Sequence, residues 1–431
     1  MINGLTLSVK ANRLCQLPQR GSLWRLPKTL RGIAKASPLG RGGSALALTE
    51  RAGDPNDRSI TMKKKLIALL AAVAMVFSLA ACGSTPDSVG TIGTVDITSG
   101  LYLLAQYDAY QKAADLATSE QDATDVKAFL KQTITVDADS GETATVSDYV
   151  SQKTMENLET YAAIETRFEE LGGQLTAEEE AQADSYASQL MEQYGDTYKA
   201  NGIGLNTVQR FERILIKSSD LLELVYGVDG ETPVSDADLT SHLENNMYEL
   251  AYYTIPLYNT STYASADDDQ ITQMLALTQA AVDQTNAAAA ADSSTLLGYF
   301  SGVVTSALPE VYAVLGSTYS SDSTAPSLEL IGDSTVTSAF TAEGAADTIR
   351  GLSIGQAAAV KYNSYALMAA LRLDPLSLKA LDDLRGQVLN DMKGEELSEA
   401  LTAYGASLEH NLSSSAMNRM PASKIVNSST N

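Results

Sequence analysis

The residues able to do chemistry in this sequence are few. His242 and His410 are the only histidines, and Cys15 and Cys82 the only cysteines, in 431 residues. Two imidazoles cannot build a His-rich metal site, and two thiols cannot build a disulfide framework. His242 falls four residues before Asn246 on a polar helical stretch, which reads as a solvated surface position. His410 falls near the end of the last helical stretch, where a cationic ring would suit the helix dipole. Asp267-Asp268-Asp269 lacks the spaced ligands and the glycine of a calcium loop, so it reads as acids at a helix start. Gly202-Ile203-Gly204 lacks the strand-then-helix context of a nucleotide fingerprint and reads as a turn. No metal and no cofactor is expected from these residues. Tyrosine, by contrast, is abundant, 20 against six phenylalanines. Many of these tyrosines fall on helix stripes, yet the excess would also suit an adaptable polypeptide-binding cleft.

Charge narrows the partners. Residues 1–81 carry 13 basic and 3 acidic groups, which leaves 17 basic and 50 acidic groups in the rest of the chain. Such an acidic body repels polyphosphate, so nucleic acid is not expected as a partner.

Cys82 has a context of its own. Lys63-Lys64-Lys65 follow Met62, the run Leu66 to Ala81 is uncharged, and Leu79-Ala80-Ala81 lead into Cys82-Gly83. A basic start and a 16-residue apolar run describe a signal peptide, short of the about 20 residues that a membrane span needs. The junction resembles the bacterial lipobox. That resemblance implies that Cys82 becomes the first mature residue, carries the lipid, and tethers the chain at the extracytoplasmic face of the cell membrane. Acyl chains contribute ~0.8 kcal/mol per buried methylene, enough in pairs or triplets for stable anchoring. Residues 1–61, with the only tryptophan and no tyrosine, look unlike the rest. They are expected to be disordered or outside the native protein, with Met62 as the start; 62–81 is the signal peptide and 82–90 a tether.

The elements that must position any site follow a helical, mixed, then helical order. Thr91 to Thr98 alternates as a short strand, and Ser99 is placed to cap a helix running to about Ala117. Leu158, Tyr161, Ile164, Phe168 and Leu171 recur at helical spacing. Thr176 to Glu179 reads as a capping box, and Ser235 to Asp238 starts another helix. Leu250 to Ile255 and Tyr365 to Leu371 read as strands, a helix is built on Ile271, Leu275 and Val282, and 302–344 reads as irregular. Leu381, Leu384, Val388 and Met392, then Leu397, Leu401, Tyr404 and Leu408, return to helical spacing.

This plan behind a lipobox resembles the extracytoplasmic foldases of the PrsA and SurA type. The matching segments are Val95-Asp96-Ile97-Thr98 before a Tyr-bearing helix, Thr145 to Val150, Leu171 to Thr176, Pro233 to Leu239 followed by Tyr248, and Leu352 to Gln356. The resemblance implies an α+β, predominantly helical fold. Its discontinuous chaperone domain would comprise 91–247 and the C-terminal helices of 374–420, with a small parvulin-like α/β domain inserted at 248–373 and a tail at 421–431. It also implies unfolded or secreted polypeptides as partners. Parvulins carry one histidine in the first strand and another in the last, paired beneath the prolyl ring. Here Tyr253 falls where the first belongs and Asn363 to Leu367 has none, so the inserted domain reads as degenerate. The expected function is thus a membrane-anchored chaperone or foldase without strong peptidyl-prolyl isomerase activity. The alternatives are an active isomerase using Tyr253 and Tyr365 in place of histidines, and a solute-binding lipoprotein, which would show repeated βαβ units.

Overall fold

A computed structural model describes residues 86–427, except 119–120, 139, 289–291 and 321–324. Cys82, the 62–81 signal peptide, residues 1–61 and most of the 82–90 tether lie outside the described residues. The fold is α+β and predominantly helical, and every strand pair among the described residues is antiparallel. Its described residues cluster into two compact units, one of 86–162, 184–211 and 407–427, the other of 163–183 and 212–406.

In the first unit, the expected single strand over 91–98 is instead a hairpin. Strand β1 (Ser88–Ile92) turns at Gly93-Thr94 into β2 (Val95–Thr98). A third strand, β9 (His410–Leu412), pairs with β1 in the order β2-β1-β9. Gly90 sits at φ 123, and a Cβ there would lie 2.1 Å from the Asn411 carbonyl oxygen, so this pairing requires glycine. Thr98, not Ser99, caps helix α1 (Ser99–Asp115), its side chain accepting from the Leu101 N–H. Helix α1 buries Ala109, Tyr110 and Ala113 against Phe129 of a short helix α2 (Val126–Phe129), Ile134 of a small hairpin (β3, Thr133–Thr135; β4, Thr143–Thr145), and Val146 and Val150. Three long helices follow along the chain, each with residues in both units' ranges: α3 (Val146–Glu170), α4 (Ala177–Ala200) and α5 (Leu205–Tyr226). Thr176 and Glu179 exchange the reciprocal bonds of a capping box, as their spacing predicts. Of the segment read as a tail, residues 421–427 are described, and Val426 is docked: the Asn201 amide both donates to its carbonyl and accepts its N–H, at 2.8 Å each. The sequence missed this because a two-bond amide bridge leaves no periodicity.

The second unit holds the sheet. Helix α6 (Asp236–Asn246), capped by Ser235, runs into β5 (Met247–Pro256). Strands β6 (Ser327–Gly332), β7 (Ala357–Lys361) and β8 (Ala366–Leu373) complete the order β6-β5-β8-β7. Both faces are covered. Helices α7 (Asp268–Ala287) and α8 (Ser293–Ala313) lie over Ala251, Tyr253, Ile255, Leu367, Ala369 and Leu371. The short helices α9 (Asp333–Ala339) and α10 (Ala345–Gly351) cover Leu250, Tyr252, Met368 and Ala370. Period-2 alternation along β5 and β8 therefore feeds two cores, and both strands read as continuous apolar runs.

Two expectations are corrected here. The stretch 302–344, expected to be irregular, contains most of α8, then β6 and α9. Gly298, Gly302 and Pro309 lower the helix propensity of α8, but Leu296, Phe300, Val304, Leu308 and Val311 recur every three or four residues and bury against the sheet. The C-terminal helical pattern is largely one helix of 27 residues, α12 (Leu381–Ser407), after the single turn α11 (Pro375–Leu378). Helix α12 touches α6 through Arg385–Asp236 (2.6 Å) and β6 through the Gln387 amide on the Leu330 carbonyl (2.6 Å). Helix α6, the sheet of 248–373 and α12 up to 406 fall in one compact unit together with 163–183.

Candidate functional site

The two tyrosines expected to replace the histidine pair do not meet. Tyr253 faces Ala369 across the β5–β8 ladder, whereas the Leu257 N–H donates to the Tyr365 carbonyl, four residues farther along. That offset is about 13 Å along a strand. Tyr253 is 8% exposed, and its hydroxyl shares a 2.8 Å hydrogen bond with Ser301 Oγ on α8. Its ring lies 5.9 Å from that of Phe300, and burial raises its hydroxyl pKa. A prolyl ring could reach Tyr253 only by displacing α8. Tyr365 lies outside this core at 53% exposure.

Beyond the end of β5 the chain does something different. No charged residue occurs from Leu250 to Ala266. Residues 257–266 form a tight loop closed by a Tyr258–Ser265 bridge and by the Ala266 N–H on the Leu257 carbonyl. Asn259 organises it: Oδ1 accepts the Ser261 and Thr262 N–H groups at 2.9 Å, and Nδ2 donates to the Leu315 carbonyl at 2.6 Å. The Thr260 N–H donates to Ser317 Oγ. This scaffold holds Tyr263 at φ 58, the only positive φ outside glycine among the described residues, where a non-glycine residue is strained by ~1–3 kcal/mol. Tyr263 is 72% exposed and stacks on Tyr258, ring centroids 6.2 Å apart and planes 21° from parallel. Tyr312 of α8 and Tyr319 back this end, their rings 5.3 Å apart. Burial pushes the Tyr312 hydroxyl pKa up to about 12, with Tyr319 and Tyr258 adding to it. In sequence the loop shows only low hydrophobicity and no period. Its aromatic pair at a spacing of five was the available signal.

Asp267, next in sequence, caps α7 in a capping box with Gln270, so these acids are helix-start residues, as read from the sequence. Both histidines are placed differently from expectation. His242 Nε2 lies 2.8 Å from Asp391 Oδ2 of α12 and is mostly buried, because α12 covers the α6 face that the local sequence leaves polar. His410 lies in β9, not on a helix, with Nε2 3.6 Å from Glu159. Two carboxylates are enclosed without full satisfaction. Glu249 Oε2 and Glu212 Oε1 lack hydrogen-bond partners among the described residues. Burial raises both pKa values, that of Glu212 to about 7. Among the described residues no group of three His, Cys, Asp or Glu could hold a metal ion, and no helix is long and apolar enough to cross a membrane.

No family model matches the chain, and no curated protein matches it. Among solved structures the chain is similar to the crystal structure of foldase protein PrsA from Streptococcus pneumoniae str. Canada MDR_19A. That comparison covers 66% of this chain and 97% of the other, at 11% identity and a TM-score of 0.31.

Proposed function

We propose that this protein is an extracytoplasmic chaperone of the foldase kind that binds unfolded polypeptide and lacks strong prolyl isomerase activity. The observation that carries the reading is the exposed, uncharged tyrosine-bearing loop of 257–266, held rigid by its own hydrogen bonds. Tyrosine supplies broad amphipathic contact at low entropic cost, and Asn, Ser and Thr supply adaptable hydrogen bonds; this is how polypeptide-binding loops are composed. The enclosure of Tyr253 under α8 argues against the isomerase alternative. Antiparallel pairing throughout argues against a solute-binding protein of repeated βαβ units.

The tether at Cys82 and the extracytoplasmic location belong to the same proposal, as does the plan of an insertion at 248–373 between 91–247 and 374–420. Their support is the lipobox-like junction and the foldase resemblance. The function is tested by light scattering of a reduced, aggregating client with the full chain present, beside a proline-peptide isomerisation assay. Suppressed aggregation with isomerisation at background is the expected result; rapid isomerisation lost in Tyr253→Phe would overturn it. Metabolic fatty-acid labelling should disappear in Cys82→Ala.

A further inference from the structure

We infer that the Tyr258–Tyr263 loop selects its polypeptides by charge, docking extended segments that present lysine or arginine. This rests on the polypeptide-binding reading and adds the chemical class of the ligand.

The faces of tyrosine rings are electron-rich and attract cations. This chain already uses that attraction internally: the Arg372 guanidinium lies 4.7 Å from the Tyr248 centroid, and the Lys393 ammonium 5.5 Å from that of Tyr226. The stacked Tyr258–Tyr263 pair has no such cation among the described residues, and Tyr263 is largely open to solvent. The surroundings carry the sign of charge that complements a cationic partner. Residues 247–373 contain 12 acidic and 3 basic groups, and Asp268 and Asp269 are exposed directly after the loop. One of the three basic groups, Lys361 at the end of β7, lies on the loop's side of the sheet, level with Leu367 and Ile255, so the local acidic excess comes from Asp267 to Asp269. An anionic segment would meet this acidic field without compensation. A neutral one would gain only the aromatic contact, whereas a cationic one gains both.

The loop is also pre-organised. The Asn259 bonds and the strained Tyr263 backbone persist without any partner, so docking orders little that is not already ordered. The strain also supplies a clean variant. Tyr263→Gly removes the ring from a φ that glycine adopts freely, so the folded chain should melt at the same or a higher temperature.

The test is fluorescence anisotropy of the full chain with labelled extended peptides of identical Gly, Pro, Ser and Leu content carrying arginine, glutamine or glutamate. The arginine peptide should bind about tenfold tighter than the glutamate peptide, and added salt should narrow the gap. Each exposed cation–π contact is worth about 2–5-fold, so Tyr258→Ser with Tyr263→Gly should weaken arginine-peptide binding ~4–25-fold. Asp268→Asn with Asp269→Asn should reduce the preference for arginine while leaving the Asp267 cap intact. Equal affinity for the three peptides, or unchanged affinity in the double tyrosine variant, would overturn the assignment. So would concentration-dependent self-association abolished by Tyr263→Gly, which would make a second copy the occupant. In those cases continued suppression of aggregation would leave the chaperone reading standing. Loss of suppression in the unaltered chain would remove that reading itself.

Discussion

Tyr253 and Tyr263 lie ten residues apart, one within β5 and one beyond its end, and they have opposite fates. Tyr253 is enclosed by Phe300 and Ser301 with its hydroxyl satisfied, so its chemistry is spent on the core. Tyr263 keeps a strained backbone and an open ring, so the surrounding loop spends stability on display. Residue type and strand position therefore do not define a site here. A covering helix decides which tyrosine can meet another molecule.

The contrast is most easily broken on the enclosed side. Phe300→Ala removes a fully buried ring from the sheet–α8 core and should cost about 3–5 kcal/mol, read as a fall in the urea midpoint. A loss under about 1 kcal/mol would mean that α8 does not seal Tyr253.

Enclosure can also be read through a titrating group. Glu212 is 1% exposed, and burial lifts its pKa from 4.5 to about 7. The folded state therefore favours the protonated carboxyl. That share of stability is complete below about pH 4.5 and is lost as pH rises through 7, by at most about 3 kcal/mol. Urea titrations at pH 5 and pH 8 should show this loss, and Glu212→Gln should remove most of it. Asp220, lifted to about 6 by burial and by Glu179, adds a loss of the same sign as pH rises through 6.

A half-open contact should give a smaller effect. His242→Gln separates α6 from Asp391 of α12 and should lower stability by about 1 kcal/mol. Coupling to Asp391→Asn in a double-mutant cycle would identify the pair as the cause. At the open end, Tyr263→Gly should give no loss of melting temperature at all.

Much of the framework was legible because it follows from local periodicity. The capping boxes at Thr176 and Asp267, the start of α6 at Ser235 and the strand after Tyr248 each lie where short-range pattern puts them. Less legible were elements whose reason to exist is distant. Helix α8 needs the sheet to compensate for two glycines and a proline. Strand β9 needs β1, and the mostly buried state of His242 needs α12. Of the site, the sequence offered the tyrosine excess and the missing histidines. It did not offer the offset of Tyr253 from Tyr365, which is a matter of register, nor the stacked pair in the loop, which depends on a left-handed backbone at Tyr263 that no propensity favours.

The pairing of β9 with β1 also sets a timetable. The Gln106 side chain reaches the Met420 carbonyl across a separation of 314 residues, and Gly90 to Ile92 await His410 to Leu412 to complete their sheet. A chain made from its N-terminus presents the β1–β2 hairpin with an unpaired edge until His410 to Leu412 have been added. Contacts this far apart slow folding, since the loop must close before any bond rewards it. During that interval the nascent molecule is itself an unfinished client, with an open strand edge of the kind that invites mispairing. Its folding rate should therefore depend on how quickly His410 to Leu412 reach β1.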